Sequence, residues 1–179
     1  MPDKCTRYGR KLIRRGAIVE MYADRVMTPD GKDVKYDFIK HKGAAAVVPV
    51  MKDGKILMVK QYRNAIDQFT LEIPAGGRNG VDEPTIDTAF RELEEETGYK
   101  TKKLEPLISL YTTVAFCDEK IDIFVAASLT KSKQHLDDDE YLDVVAYELE
   151  DLIEKIYTGE IVDAKTIAAL LAYKNKYVK

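Results

Sequence analysis

The clearest hydrophobic pattern in this chain has the period of an α-helix and lies between Glu83 and Gly98. Apolar side chains recur there at helical spacing, which predicts one apolar helix face. Pro84 suits the first turn of such a helix, and Gly98 suits the residue just past its end. The apolar positions are Ile86, Ala89, Phe90 and Leu93. The pattern therefore predicts a helix across this stretch.

Shorter apolar runs on both sides of this helix predict β-strands, and the end of the chain has helical periodicity again. The predicted strands lie near residues 10–20, 22–28, 33–40, 43–50, 56–62, 69–74, 107–113, 121–127 and 141–147. The two later helices are predicted over Leu149–Tyr157 and Ala164–Tyr177. Strands around one central helix, with more helices at the end, predict an α+β or α/β sandwich.

The first three predicted strands stand apart from the rest. Residues 1–41 alternate like an antiparallel β-meander but have little apolar content for a core, and isolated small sheets are marginal in water. We expect this segment to pack on another surface, either in its own chain or in a second subunit. The residues that need such a surface are Tyr22, Val26, Tyr36, Phe38 and Ile39. Residues 42–179 are predicted to form the main domain.

Composition narrows the class of protein. The 179 residues have a formal net charge of −3 and no basic block, so nucleic acid is not an expected partner. No apolar run approaches the length of about 20 residues that a membrane span needs, and no secretory signal is evident. Cys5 and Cys117 are isolated thiols, which favours a reducing cytoplasm.

Candidate chemistry lies on the central helix. Glu92, Glu95 and Glu96 fall within roughly 100° of arc beside the apolar face, whereas Glu94 points away. Like charges at this spacing repel one another, and a hard divalent cation, which prefers oxygen ligands, would relieve the repulsion. A solvated acidic helix face is the alternative interpretation.

The spacing around these glutamates is more specific than the glutamates alone. Gly77, five residues, Glu83, seven residues and then RELEEETG at 91–98 match the Nudix box, G-x5-E-x7-R-E-U-x-E-E-x-G-U, in which U is a bulky aliphatic residue. Chance would produce this match in about one chain in a million of this length. The one departure is Tyr99 at the last aliphatic position. The chain thus resembles the Nudix hydrolases.

The resemblance implies a mixed β-sheet between helices and a divalent metal site for Mg²⁺ or Mn²⁺. The implied metal ligands are Glu92, Glu95, Glu96 and the backbone carbonyl of Ala75. Arg91 precedes Glu95 by four residues, so an ion pair could orient that carboxylate; a plain surface pair is the alternative. Gly76 and Gly77 can each occupy the place of the box glycine.

Other segments resemble the ADP-ribose pyrophosphatase branch of the family. They are Gln61–Arg63, Leu71–Gly76, Asp118–Glu119 and the acidic loop 135–140. That resemblance implies that Arg63 contacts a substrate phosphate, that Glu72 reaches a ribose or base, and that Glu119 belongs to the substrate site. A surface arginine and a structural carboxylate are the alternatives for Arg63 and Glu72. Tyr62 and Phe69 are expected in the core, with stacking on adenine as the alternative.

The general base implied by the branch lies in the acidic loop. Glu140 is the glutamate available there, and Asp137, Asp138 and Asp139 are shorter alternatives. A charged surface loop without a catalytic role is equally compatible with the sequence.

The implied activity is metal-dependent hydrolysis of a nucleoside diphosphate sugar, with ADP-ribose giving AMP and ribose 5-phosphate. One departure weakens the assignment of ADP-ribose as the substrate: Val114 and Ala115 stand where the branch commonly has proline and glycine. The alternatives are another nucleotide sugar, a dinucleoside polyphosphate, a damaged nucleotide, or a non-catalytic ligand-binding regulator. The resemblance also implies a homodimer built by exchange of the N-terminal segment.

Overall fold

The computed structural model describes residues 3–138 and 140–178, which fall into two compact units. The first unit contains the chain up to Lys42 together with Tyr111–Lys120, and the second contains the rest. The strands are β1 Thr6–Arg15, β2 Glu20–Met27, β3 Asp33–Lys40, β4 Ala44–Pro49, β5 Ile56–Arg63, β6 Gln68–Glu72, β7 Ala75–Gly77, β8 Tyr99–Lys100, β9 Leu104–Tyr111, β10 Lys120–Ala126, β11 Thr130–Lys131 and β12 Leu142–Tyr147. The helices are α1 Thr85–Thr97, α2 Leu149–Tyr157 and α3 Ala164–Tyr177.

The first unit is the N-terminal meander, an antiparallel sheet in the order β1-β2-β3. The segment around Cys117 adds to the edge of β3, because the Ile39 N–H donates to the Phe116 carbonyl at 2.7 Å. Arg10 lies 3.6 Å from the centre of the Phe38 ring and so covers part of the apolar face. Val26 is buried, whereas Tyr36 remains 50% exposed. The meander therefore buries only part of its apolar surface by itself.

The second unit is built around a mixed sheet with strand order β7-β4-β10-β9. Strand β4 is parallel to β10 and antiparallel to β7. A second, antiparallel sheet has the order β12-β5-β6, and β8 pairs with β11. The register within these sheets places β7 beside the N-terminal half of β4, since Ala46 pairs with Ala75.

Strand β4 is buried along its whole length and separates two apolar clusters. Alternate residues of a strand point to opposite faces. Ala45 and Val47 accordingly join a cluster with the α1 residues Ala89 and Leu93. The opposite cluster contains the β4 residues Ala46 and Val48 with α2 and α3 residues such as Leu152 and Leu170. The predicted mixed sheet between helices, preceded by an antiparallel meander, is confirmed.

Helix α1 begins one residue after Pro84, which caps it instead of lying in its first turn. It ends at Gly98, whose φ of 68° lies in the left-handed region that favours glycine. The two C-terminal helices have the predicted bounds. Strands β7, β8 and β11 were not predicted, because two or three residues are too few to show a period. In the described part of the chain, no helix is long and apolar enough to cross a membrane.

Candidate functional site

The carboxylates of α1 differ sharply in their exposure. Glu92 is 7% exposed and Glu96 is 1% exposed, although both are acidic. The Glu95 side chain is 38% exposed at the rim. Glu94 lies on another side of the helix, where Ser132 donates to it and Lys100 lies 3.8 Å away. Helical spacing therefore places Glu92, Glu95 and Glu96 on one side of α1 and Glu94 on another, as the sequence predicts.

The edge of β7 faces this cluster with its backbone. Pairs in an antiparallel ladder alternate between hydrogen-bonded and non-hydrogen-bonded. The bond from the Val47 N–H to the Pro74 carbonyl makes the Ala46–Ala75 pair a non-hydrogen-bonded one. The backbone groups of Ala75 therefore point away from β4, and its N–H donates to Glu96 Oε2 at 3.0 Å. The same alternation directs the Ala75 carbonyl outward.

Gly76 lies directly against the Glu92 carboxylate. A Cβ at position 76 would overlap both oxygens of Glu92, whereas one at position 77 would meet nothing within 4 Å. Both glycines can occupy the box position by sequence, but the steric demand for glycine falls on Gly76. The absence of a side chain there allows β7 and α1 to approach closely.

Arg91 joins the parts of the box. Its Nη1 donates to Glu92 at 2.6 Å and to Glu95 at 2.9 Å, and its Nη2 donates to the Gly77 carbonyl at 2.9 Å. Glu83 lies 3.8 Å from Arg91 Nε and accepts from the Asn79 N–H at 2.5 Å. The predicted Arg91–Glu95 ion pair is thus present, and the same arginine also holds the glycine-rich segment.

The acidic loop is tethered to the C-terminal end of α1. The Ser132 N–H donates to the Gly98 carbonyl at 2.7 Å, and the His135 N–H donates to the Glu95 carbonyl at 3.0 Å. The Gln134 side chain donates to the Glu96 carbonyl at 2.6 Å. These bonds bring Glu140 near enough for its charge to raise the pKa values of Glu92 and Glu96.

Burial raises the pKa values of the two inner carboxylates, Glu92 and Glu96. Desolvation raises the pKa of Glu92 to about 7. Desolvation and the charge of Glu92 raise the pKa of Glu96 to about 8. A buried carboxylate loses its hydration and keeps its charge only if a cation or hydrogen bonds replace that hydration. The protein's own groups do so only partly at these two positions.

The donor set suits a hard divalent cation, which prefers oxygen ligands. The carboxylate and carbonyl oxygens supply such ligands, and the negative charge of the carboxylates is only partly neutralised by the protein. In residues 3–138 and 140–178, no three acidic, histidine or cysteine side chains already form a metal cluster. Arg91 Nη1 donates to both Glu92 and Glu95. A divalent ion would compete with Arg91 for these two carboxylates.

Comparison with known protein families shows to which family this chain belongs. The family model described as "NUDIX domain" matches residues 40–170, which include β4, the glycine-rich segment, α1 and the acidic loop. The chain belongs to the NUDIX family. The prediction made from the box is confirmed.

Relatives of this NUDIX protein align along most of its length. A Bacillus subtilis (strain 168) protein named ADP-ribose pyrophosphatase is 41% identical over 163 residues, covering 90% of this chain and 88% of the relative. A Bacillus methanolicus protein named methanol dehydrogenase activator is 39% identical over 160 residues, covering 88% and 86%. A solved structure described as an ADP compounds hydrolase has the same fold, with a TM-score of 0.85, 20% identity and coverage of 97% and 94%.

The two predicted substrate residues of β5 and β6 contact each other. Arg63 donates to Glu72 twice, from Nε and from Nη2, each at 2.6 Å. Thr70 and Lys165 also donate to this carboxylate. Burial alone would raise the pKa of Glu72, but the hydrogen bonds from Arg63 and the charge of Lys165 lower it to about 2. Glu72 is therefore ionised at neutral pH.

Tyr62 and Phe69 do not pack in the core, so that prediction is wrong. They are 46% and 67% exposed and pack edge-to-face on each other, with ring centres 5.7 Å apart. They form the cross-strand pair next to the end of the β5–β6 ladder, beyond the reach of both apolar clusters. Side-chain alternation also places this pair on the face of the sheet opposite to Arg63. A single group of a ligand therefore cannot contact both Arg63 and the Tyr62–Phe69 pair at this end of the sheet.

Glu119 and Val114 belong to the first unit. Glu119 accepts a bond from Thr112 at 2.8 Å and lies 3.4 Å from His41 Nδ1, and Val114 is 82% exposed. The substrate role of Glu119 stays a prediction. Asp138 is exposed in the acidic loop, and Asp139 lies outside the described residues.

Sequence reasoning missed Lys165, the fourth donor to Glu72. A signal for it exists in hindsight: Asp163 is the residue that caps α3, so Lys165 stands in the first turn of that helix. A cation is unfavourable there, because the N-terminal end of a helix carries partial positive charge. A local conflict of this kind marks a residue with a tertiary or functional partner.

Proposed function

We propose that this protein is a metal-dependent pyrophosphatase of nucleoside diphosphate sugars, with ADP-ribose as substrate and AMP and ribose 5-phosphate as products. The proposal is supported by the burial of Glu92 and Glu96, by the bond from the Ala75 N–H to Glu96, and by the tethers that join the acidic loop to α1. The Bacillus subtilis relative named ADP-ribose pyrophosphatase, at 41% identity, supports the choice of substrate.

The metal would be Mg²⁺ or Mn²⁺, held by Glu92, Glu95, Glu96 and the carbonyl of Ala75. Such an ion would neutralise the charge of the diphosphate and make its phosphorus atom more electrophilic. The chain's own groups prepare this site: Ala75 fixes one Glu96 oxygen, and Arg91 orients Glu92 and Glu95. Gly76 leaves the space that the Glu92 carboxylate occupies.

Glu140 is the proposed general base, which accepts a proton from the attacking water. Its side chain is half-buried, and Asp137 donates from its backbone N–H to Glu140 Oε2 at 3.4 Å. That bond is long and leaves the carboxylate acceptor capacity for a water molecule. Arg63 is proposed to contact a substrate phosphate through the N–H groups that Glu72 does not use.

Two alternatives keep the same scaffold. Val114 and Ala115 replace the usual proline and glycine of the branch, which favours a different diphosphate substrate, such as another nucleotide sugar, a dinucleoside polyphosphate or a damaged nucleotide. The Bacillus methanolicus relative named methanol dehydrogenase activator favours a role in regulating another enzyme. The complete set of Glu92, Glu95 and Glu96 argues against a purely non-catalytic form of that role.

We also propose that the protein is a cytoplasmic homodimer assembled through the meander. The supporting observation is the apolar surface that this segment leaves exposed: Ile13 is 53%, Ile18 is 74% and Tyr36 is 50% exposed. Ile13 and Tyr36 lie in β1 and β3, and Ile18 lies in the β1–β2 turn. Exposed apolar side chains on one small sheet and its turn are typical of an interaction surface.

A panel of diphosphates assayed with Mg²⁺ tests the function. ADP-ribose, a nucleotide sugar with another base, a dinucleoside polyphosphate and an oxidised nucleotide are compared by released phosphomonoester. We expect the largest kcat/KM with ADP-ribose. A different best substrate would support the first alternative, and no release from any diphosphate with Mg²⁺ or Mn²⁺ would refute the enzymatic proposal. Glu96→Gln, prepared in the same way, controls for contaminating hydrolases.

A further inference from the structure

The Glu72 carboxylate has no acceptor position left for a substrate. A carboxylate offers about four lone-pair sites, two on each oxygen. Oε1 accepts from Arg63 Nε and Thr70 Oγ1, each at 2.6 Å, and Oε2 accepts from Arg63 Nη2 and Lys165 Nζ. Its side chain is only 3% exposed. Glu72 is therefore suited to hold Arg63, and its predicted contact with a ribose or base would require the loss of one of these bonds.

Lys165 supplies the second cation of this cluster. Its side chain is 11% exposed and lies between Glu72 and Asp163, whose Oδ2 accepts from Nζ at 3.0 Å. Asp163 also accepts from the Thr166 N–H at 2.9 Å and caps α3, so the partial positive charge of the helix terminus offsets its charge. Glu72 thus faces two full cations. The side chains of the cluster sum to zero formal charge, and the α3 terminus adds partial positive charge.

Arg63 keeps donors that Glu72 does not use. No bond from its Nη1 is found in the described part of the chain, and its side chain is 40% exposed. Arg63, Thr70, Glu72 and Lys165 line one cleft of about 340 Å³. Glu72 lies three residues before Ala75, whose N–H donates to Glu96, and the charge of Glu96 acts on Arg63.

We propose that Lys165 is a positioning residue for substrate binding: it neutralises Glu72, so that Glu72 fixes Arg63 while the charge of Arg63 stays available to a phosphate of the nucleoside diphosphate. The proposal rests on the function proposed above. Without Lys165, Arg63 would be the sole counter-ion of a buried carboxylate, and its attraction to a phosphate would fall. The effect is on binding of the anionic substrate and not on the proton transfer at Glu140.

A purely structural role is the competing explanation. Lys165 could serve only to attach α3 to β6, but a second link already does this. The Thr166 hydroxyl accepts from the Ile73 N–H at 3.0 Å and donates to Asp163 at 2.6 Å. A structural role predicts a lower melting temperature with unchanged KM, whereas the positioning role predicts a higher KM.

Steady-state kinetics on the full-length protein with ADP-ribose and Mg²⁺ tests the positioning role. Lys165→Met should raise KM on the order of tenfold, as expected for a weakened hydrogen bond between charged groups. Its kcat should change less than about twofold, since only binding is affected. Lys165→Gln keeps an N–H donor but not the charge and should match the methionine variant; it replaces that variant if the latter does not fold. Lys165→Arg restores the charge and should recover most of the wild-type KM.

A double-mutant cycle shows whether Lys165 acts through Arg63. Residues of one network are non-additive, so Lys165→Met should add little to KM in an Arg63→Ala background. Lys174→Met is the matched control, because Lys174 also lies on α3 and its ammonium donates to Glu150 at 2.6 Å. The control should leave KM unchanged.

The outcomes separate this proposal from the function on which it rests. Wild-type protein without activity on ADP-ribose would refute the substrate assignment. Wild-type activity with an unchanged KM in both Lys165→Met and Lys165→Gln would overturn only the role of Lys165. If Lys165→Met raised KM by the same factor in the wild-type and Arg63→Ala backgrounds, the role of Lys165 would be overturned as well.

Discussion

The backbone of Gly76 lies so close to the Glu92 carboxylate that any side chain at position 76 would overlap it. We therefore predict that Gly76→Ala displaces Glu92 and lowers kcat at least about tenfold, because a catalytic group out of place by a fraction of an ångström loses much of its effect. Gly77→Ala is the matched control and should retain near wild-type activity, since a Cβ there meets nothing within 4 Å. Equal activity of the two variants would contradict the steric argument.

The inner carboxylates are predicted to be essential for hydrolysis. Glu92→Gln and Glu96→Gln keep the shape of each side chain but remove its charge. Loss of one electrostatic catalytic group typically costs roughly 10²–10³ in kcat, and we expect losses of that size for both. Glu94→Gln should have little effect, because Glu94 contacts Ser132 and Lys100 on another side of α1. A loss below about tenfold at Glu96 would argue against the metal site.

Glu140→Gln is predicted to lower kcat by about 10²-fold or more, the usual contribution of a general base. Binding of Mn²⁺, measured by isothermal titration calorimetry, should stay close to wild type, because a base acts on water and is not a metal ligand. Asp138→Asn serves as the comparison within the same loop. If it proves the damaging change and Glu140→Gln does not, the base has been assigned to the wrong residue of the loop.

The metal-free protein is predicted to lose stability as the pH rises. The folded state keeps protons on Glu92 and Glu96 up to pH about 7 and 8, whereas the unfolded chain loses them near 4.5. Unfolding then releases protons, so the free energy of unfolding falls between these pH values. Melting temperatures in EDTA should show this fall, and the Glu92→Gln, Glu96→Gln double variant should not.

The stability contribution of Glu72 depends on pH in the opposite direction to that of Glu92 and Glu96. The fall in stability due to Glu92 and Glu96 is therefore expected only above pH 4.5. The Glu72 pKa of about 2 lies below the ordinary 4.5, so the contribution of Glu72 is lost only as the pH falls below 4.5. Added Mg²⁺ should raise the melting temperature most at the alkaline end, because the ion binds the ionised carboxylates. A melting temperature in EDTA that does not decrease from pH 4.5 to 8 would contradict the burial argument.

The dimer proposed above predicts a twofold mass in light scattering at micromolar concentration. Ile13→Asp should weaken the dimer, since it puts a charge on the exposed apolar surface of β1. Lys52→Asp, in the exposed β4–β5 turn of the second unit, is the control and should leave the mass unchanged. A wild-type monomer with full activity would rule out a required dimer.

The sequence predicts the second unit well where periodicity is strong. The spacing around Leu93 identifies α1, and the box identifies its carboxylates. The tethers of the acidic loop and the donor from Lys165 were not predictable in this way, because they join residues 34 to 93 positions apart. Tyr62 and Phe69 show the opposite failure: an apolar pattern marks a strand, but it does not tell whether that part of the strand lies under a helix.

The tethers between the acidic loop and α1 have a consequence for insertions and deletions. His135 is the last tether, and four residues separate it from Glu140. Each residue added or removed between them changes the reach of Glu140 by up to about 3.4 Å, more than a hydrogen bond tolerates. Directly ahead of Ser132, β11 is fixed by its pairing with β8, so length changes there would be absorbed only in the turn at 127–128. Among relatives and engineered variants, chain length should therefore vary more at 127–128 than between 135 and 140.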